Sequence, residues 1–173
     1  MLRLLLLRHA KSSWAEPGVA DRDRPLNKRG KDTAPTVGRY LKRMGWLPDR
    51  VICSPAERTR RTLDLVLEAG NLMPQVIVDE AVYDFGDGTA LIDAIRRNGG
   101  PARTLLLVGH NPSTELLALR LSRSGPPDAI AALRRKFPTA ALAVFDVDVA
   151  DWADFDPLKA MLVAFVTPKA LDD

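Results

Sequence analysis

Two uninterrupted apolar runs, Leu4-Leu5-Leu6-Leu7 and Leu105-Leu106-Leu107-Val108, constrain this chain more than any other feature. A strand with one wet face alternates apolar and polar residues, whereas a strand covered on both faces is apolar throughout. Strands of the second kind belong to parallel sheets with helices on either side. Residues just past the carboxyl ends of such strands lie where open α/β sheets bind their ligands. The chain carries Arg8-His9-Ala10 after the first run and Gly109-His110-Asn111-Pro112 after the second.

The intervening patterns alternate between the two periods. After a polar, turn-rich segment around Asp21-Arg22-Asp23-Arg24-Pro25, the residues Val37, Tyr40, Leu41 and Met44 recur at helical spacing. Pro35 falls either in the first turn of that helix or at a kink, and Gly45 stops it. Arg50-Val51-Ile52-Cys53 reads as a short strand. Ser54-Pro55-Ala56-Glu57 then resembles a capping box with Pro at the first helical position, which predicts a helix from Pro55 to Gly70-Asn71. Val76-Ile77-Val78 reads as a strand, and Leu91, Ile92 and Ile95 as the stripe of a helix closed by Gly99-Gly100-Pro101. Thr104 to Val108 is the second buried strand. Asn111 is expected to cap the next helix, with Pro112 as its first residue. Ala140 to Val147 and Met161 to Val166 return to strand composition. The alternation predicts a three-layer α/β/α sandwich with a mainly parallel sheet and one late antiparallel strand, in a single domain spanning 1–173.

Charge and cysteine content exclude several function classes. Lys plus Arg number 25 against 22 for Asp plus Glu, and the two signs are interspersed, which argues against a nucleic-acid partner. Cys53 is the only cysteine, so no intramolecular disulfide can form, and two histidines make no structural zinc cluster. No run approaches a membrane span, and the apolar start is too short for a signal peptide. The expectation is a cytoplasmic protein with no metal, cofactor, membrane or nucleic-acid partner.

Three junctions carry unusual polar residues: Arg8-His9, Ser54 to Arg58, and His110-Asn111. In a parallel sheet they share one edge, and two of them precede helix amino termini that favour an anion. The planar fork of arginine matches phosphoryl oxygens two at a time, which suits Arg8 and Arg58. Imidazole near neutral pH has one nitrogen free for attack, so His9 or His110 could serve as nucleophile while the other donates a hydrogen bond.

In order and spacing, Arg8-His9-Ala10, Ser54-Pro55-Ala56-Glu57-Arg58 and Gly109-His110-Asn111-Pro112 resemble the defining blocks of the histidine phosphatase (phosphoglycerate-mutase-like) superfamily. Ala10 in place of the usual Gly, the short chain and Asp23-Arg24-Pro25-Leu26 look like its small SixA-type phosphohistidine phosphatase branch. The resemblance implies a phosphoglycerate-mutase-like fold and makes His9 the nucleophile, with Arg8, Arg58 and His110 holding the phosphoryl group. It keeps Ser12 as a phosphate contact. Larger members continue with Glu-Ser-x-Trp-Asn, whereas Lys11-Ser12-Ser13-Trp14-Ala15 lacks the Glu and the Asn, against a mutase-type pocket. Of the acidic residues Asp79, Glu80 and Asp84, Glu80 sits best for the general acid.

The implied activity is metal-independent hydrolysis of a phosphorylated substrate, foremost a phosphohistidine-bearing protein. The alternatives are a small-molecule phosphomonoesterase on the same site and a noncatalytic phosphate-binding module. Imidazole, with a conjugate-acid pKa of about 6.5, leaves more easily than an alkoxide, so a weak acid favours phosphohistidine. The short stretch between the Arg58 helix and Thr104 predicts an open cleft. A cysteine phosphatase loop needs five residues between Cys and Arg, and only four separate Cys53 from Arg58.

Overall fold

The structure is a computed structural model that describes residues 1–14 and 16–171. Six strands form one sheet: β1 (Leu2–Arg8), β2 (Arg50–Cys53), β3 (Gln75–Val78), β4 (Thr104–Gly109), β5 (Leu142–Val147) and β6 (Ala160–Val166), in the order β3-β2-β4-β1-β5-β6. The two leucine runs lie side by side in parallel, with Leu4 opposite Leu105 and Arg8 opposite Gly109. β5 is antiparallel to β1 and to β6, so among the described residues it alone opposes the common direction, as expected.

Successive side chains of a strand point to opposite faces. Leu4, Leu6, Leu105 and Leu107 therefore pack against α3 (Thr89–Asn98), α4 (Ser113–Leu121) and α5 (Pro127–Arg135), with Trp152 and Phe155 in the same cluster. Leu5, Leu7, Leu106 and Val108 pack against α1 (Lys28–Met44) and α2 (Glu57–Gly70). Each fully buried leucine contributes about 1.5–3 kcal/mol relative to exposure, which is why both runs tolerate no polar residue. The helix following β1 covers one face and the helix following β4 covers the other. The carboxyl ends of these neighbouring strands thus flank a topological switch point, where such sheets leave a crevice.

Several boundaries differ from the sequence expectation. α1 begins at Lys28, capped by the Asn27 side chain accepting from Gly30 N, so Pro35 is inside the helix rather than in its first turn. α2 begins at Glu57 with Ala56 as an extended N-cap, not at Pro55. Ser54 is too early to cap the helix, and its hydroxyl turns to another partner described below. α4 begins at Ser113 after a cis Asn111–Pro112 bond, and the Asn111 amide donates to Phe137 O instead of capping. α5 was not anticipated, because only Leu133 of its nine residues is buried and its apolar stripe is correspondingly thin.

α1 and α2 touch through glycines. A Cβ on Gly38 would stand 2.1 Å from Val66 O, and one on Gly70 would stand 2.7 Å from Gly38 O. This close approach draws α2, and with it Arg58, tightly against the sheet.

Candidate active site

His9 extends β1 by one residue, its backbone N–H donating to Gly109 O at 3.1 Å. Its ring Nδ1 lies 2.7 Å from Ala10 O. A carbonyl can only accept, so Nδ1 carries the proton, and in the neutral ring Nε2 holds the lone pair. Nε2 makes no hydrogen bond to any described residue. The ring is 7 % exposed. Burial, followed by the Arg58, Arg8 and Arg24 cations, outweighs the hydrogen bond to Ala10 and holds the imidazole pKa down at about 4. At neutral pH the ring is therefore uncharged, with one accessible nitrogen.

His110 occupies the equivalent place after β4, its ring centroid 5.3 Å from that of His9. It is fully buried, and its pKa falls to about 3 through desolvation first and then the nearby Arg58, His9 and Arg8. Its Nε2 pairs with Ser54 Oγ at 2.8 Å, while Nδ1 has no partner. Tyr83 and Phe85 pack on the ring, at 5.4 and 5.0 Å between centroids.

The guanidinium groups come from two elements. Arg8 at the end of β1 donates from Nη1 to Phe137 O at 3.0 Å. Arg58, in the first turn of α2 and only 2 % exposed, donates from Nη1 to Asp21 O at 2.6 Å and from Nη2 to Asp21 Oδ2 at 3.0 Å. Thr62 joins the two elements: its hydroxyl accepts from Ala10 N at 2.9 Å and donates to Arg58 O at 2.6 Å. The structure thus brings Arg8, His9, Arg58 and His110 together.

Among the described residues, the buried side-chain polar atoms without a partner are Arg8 Nε, Arg58 Nε, His110 Nδ1, Asn111 Oδ1 and Thr114 Oγ1. All belong to the three strand ends or to the first turn after β4. Each such atom costs about 1–3 kcal/mol when unsatisfied, so hydrogen-bonding capacity is held in reserve at this one edge.

Ser12 is buried, and its hydroxyl accepts from Arg24 Nη1 at 2.8 Å. Arg24 is itself buried, stacks 3.4 Å over the Trp14 ring and pairs through Nε with Asp21 Oδ1 at 3.1 Å. Ala15, the position where larger relatives have Asn, lies outside the described residues.

Glu80 is placed differently from the other expected site residues. Its carboxylate accepts two hydrogen bonds from Arg22, at 3.1 and 2.6 Å, on an exposed face, and it makes no contact with His9 or His110. Arg22 in turn lies 4.8 Å over the Tyr83 ring. Asp79 caps the turn at Glu80 and pairs with Arg97 and Asn98, and Asp84 closes its own turn by accepting from Gly86 N.

Asp21 was missed as a site residue. Its carboxylate receives Arg58, Arg24 and the Tyr83 hydroxyl. Burial alone would raise its pKa, but these three hydrogen bonds win and hold it at about 2. The available signal was its i, i+3 spacing to Arg24-Pro25 within a segment read only as polar and turn-rich. The turn Asp21–Asp23 lies against Arg58.

Cys53 is buried, donates its thiol to Ser54 O at 3.3 Å and has its pKa pushed up to about 12 by burial. Such a thiol is no nucleophile. No group of three or more His, Cys, Asp or Glu among the described residues could hold a metal ion, and no helix there is long and apolar enough to cross a membrane.

A family model described as the histidine phosphatase superfamily (branch 1) matches residues 4–98, which include Arg8, His9 and Arg58 but end before His110. An uncharacterized protein of Mycobacterium tuberculosis is 41% identical over 165 residues, covering 94% of this chain and 100% of its own length. A crystallised protein of Agrobacterium tumefaciens with the provisional name phosphohistidine phosphatase SixA has 30% identity and a TM-score of 0.78, covering 96% of this chain and 98% of that one. Its counterpart from Nakamurella multipartitia, under the same provisional name, has 32% identity and a TM-score of 0.80, covering 96% of each chain.

Proposed function

The chain belongs to the histidine phosphatase superfamily and is a histidine-type phosphatase, and from that premise we propose that it removes phosphate from protein phosphohistidine through a phospho-His9 intermediate. The observation that carries this reading is the state of His9: Nδ1–H tied to Ala10 O, Nε2 unbonded, and the ring neutral beside Arg8 and Arg58. The provisional names of the Agrobacterium and Nakamurella proteins support the same substrate class.

In the first step the Nε2 lone pair attacks phosphorus, a P–N bond forms and the bond to the leaving group breaks. Arg8 and Arg58 offset the phosphoryl charge, and the unpaired donors at Arg8 Nε, Arg58 Nε and His110 Nδ1 supply hydrogen bonds to its oxygens. His9 keeps its Nδ1 proton on Ala10 O throughout. The phosphorylated ring is therefore cationic and departs as neutral imidazole when water attacks phosphorus in the second step, releasing inorganic phosphate. With the His110 proton on Nδ1, the Ser54 hydroxyl donates to His110 Nε2 and so fixes the ring that faces the transferring group.

Leaving-group chemistry supports phosphohistidine over alkyl phosphates. A phosphohistidine protonated on its other ring nitrogen leaves as neutral imidazole and needs no acid from the enzyme, whereas an alkoxide does. Glu80 is engaged by Arg22, Asp21 is held ionised to about pH 2, and neither histidine is protonated near neutrality. Arg8, Arg58 and His110 therefore act on the phosphoryl group by charge and orientation rather than by acid catalysis.

The test is rapid mixing with radiolabelled phosphohistidine peptide or p-nitrophenyl phosphate, followed by an alkaline quench. Label should appear on the protein as acid-labile phosphate and disappear in His9→Ala, and EDTA should leave turnover unchanged. Preference for sugar phosphates over the phosphohistidine peptide by a wide margin would sink the substrate assignment. Absence of protein-bound label would sink the intermediate.

A further inference from the structure

Beside the catalytic edge runs a second cleft, of about 670 Å³, whose walls include Lys11, Arg29, Arg135, Lys136 and Lys169. These five cations come from four separate parts of the chain: the segment after His9, the first turns of α1, the end of α5 with the turn that follows, and the helical turn Pro168–Leu171. Among the described residues no carboxylate lines the cleft. Among the described residues none of the five cations has an ion-pair partner, and Asp32, three residues past Arg29, is paired with Lys28. Unopposed like charges repel one another in the free protein. Their collection in one concave surface is a feature of the fold that the hydrolytic steps do not use.

The wall of the cleft is tied to the site through neighbouring residues and backbone hydrogen bonds. Lys11 is two residues past His9. The turn bearing Lys136, Pro138 and Thr139 also carries Phe137, whose carbonyl receives both Arg8 Nη1 and the Asn111 amide. Ala140 N, at the end of that turn, donates to Arg8 O and His9 O, both at 3.0 Å. A substrate whose phosphoryl group meets His9 brings its neighbouring atoms to this wall.

From this we propose that the cleft docks an acidic segment flanking the phosphorylated side chain of the protein substrate, a reading that rests on the proposed phosphohistidine activity. All five cations are exposed rather than sunk in the wall. A compact polyphosphate is gripped by convergent, buried arginine forks, whereas solvated lysines and arginines spread along a cleft suit a chain of hydrated carboxylates. Thr33, Thr139 and Thr167, with the apolar surfaces of Pro138 and Phe165 between them, give such a chain hydrogen bonds and contact area as well as charge.

The experiment uses the full chain and two phosphohistidine peptides of equal length, one flanked by Asp and Glu and the other by Gln and Ser. At low salt the acidic peptide should have a kcat/KM about tenfold higher, through KM. In the double variant Arg135→Ala, Lys136→Ala that advantage should shrink about threefold, two of the five exposed charges being lost, while p-nitrophenyl phosphate turnover stays unchanged. In parallel, fluorescence anisotropy of the unphosphorylated peptides should show acidic-peptide binding that weakens in the double variant and with salt. Equal kcat/KM for both peptides, or binding insensitive to the two substitutions, overturns the docking proposal alone. Failure of either peptide to lose phosphate while the acidic one still binds overturns the phosphohistidine reading and leaves the cleft assigned. Tighter binding of tripolyphosphate or of an oligonucleotide than of the acidic peptide overturns the choice of occupant.

Discussion

Asp21 holds Arg58 from two sides, its backbone oxygen on Nη1 at 2.6 Å and its carboxylate on Nη2 at 3.0 Å, so that both terminal nitrogens of a nearly inaccessible arginine are committed to one residue. The same carboxylate receives Arg24 and Tyr83. Asp21 is thus a positioning residue: it sets which edge of the Arg58 guanidinium remains for the phosphoryl group, and Nε on that edge is unpaired.

Substituting Asp21→Ala is expected to lower kcat/KM for p-nitrophenyl phosphate about tenfold or more, the loss of a charge-assisted hydrogen bond being worth about 1.5–3 kcal/mol. Asp21→Asn, which keeps an acceptor oxygen, should recover part of the loss. Steady-state kinetics on both variants checks this, and an unchanged kcat/KM for the alanine variant would remove Asp21 from the site.

His9→Ala should abolish turnover and labelling together. His110→Ala should lower kcat by about a hundredfold, the scale for losing one stabilising donor, while still forming labelled enzyme slowly. Ser54→Ala should fall between His110→Ala and the parent, because Ser54 is the hydrogen-bond partner of the His110 ring. Single-turnover rates rank the three, and a Ser54→Ala defect larger than that of His110→Ala would contradict the arrangement.

With only two histidines in the chain, both rings can be followed by NMR as pH is lowered. His9 should titrate near 4 and His110 near 3, well below the ordinary value of about 6.5. Between these values the unfolded chain binds more protons than the folded one, so stability is fully present above about pH 6.5 and is lost as pH falls toward 4. A ring titrating at 6.5 in the folded protein would contradict the desolvated site.

Glu80→Gln is expected to change kcat/KM by less than about threefold on a phosphohistidine peptide, a leaving group that needs little acid help. A larger drop confined to p-nitrophenyl or alkyl phosphates would return Glu80 to the chemistry. Activity at several pH values on the two substrate types separates these outcomes.

Gly38→Ala should destabilise the protein by about 1–3 kcal/mol, the usual range for overpacking, because the added Cβ meets the Val66 carbonyl, which is backbone and cannot swing aside. Gly45→Ala makes a useful contrast: nothing surrounds its Cβ, and the cost there is the left-handed φ of 72°. Denaturant unfolding of both variants measures the difference.

The apolar runs Leu4–Leu7 and Leu105–Val108 made the buried parallel strands legible, since full burial on both faces leaves a one-dimensional trace in side-chain chemistry. The same runs located Arg8, His9 and His110 at strand ends. Ser54 was legible as a polar residue but not as a partner of His110. Its Ser-x-x-Glu spacing matched a cap, and only the start of α2 at Glu57 released the hydroxyl for another bond.

By itself, then, the sequence determined the layered α/β architecture and located the four groups proposed to meet phosphate, because periodicity and strand ends are local properties. Tertiary structure decided what those groups bond to. It closed Asp21 onto Arg58 across 37 residues, drew Glu80 away to Arg22, and gathered five cations from four segments beside His9. These are juxtapositions of residues distant in the chain, set by how the connecting turns and helices pack around the sheet, and no spacing along the chain records them.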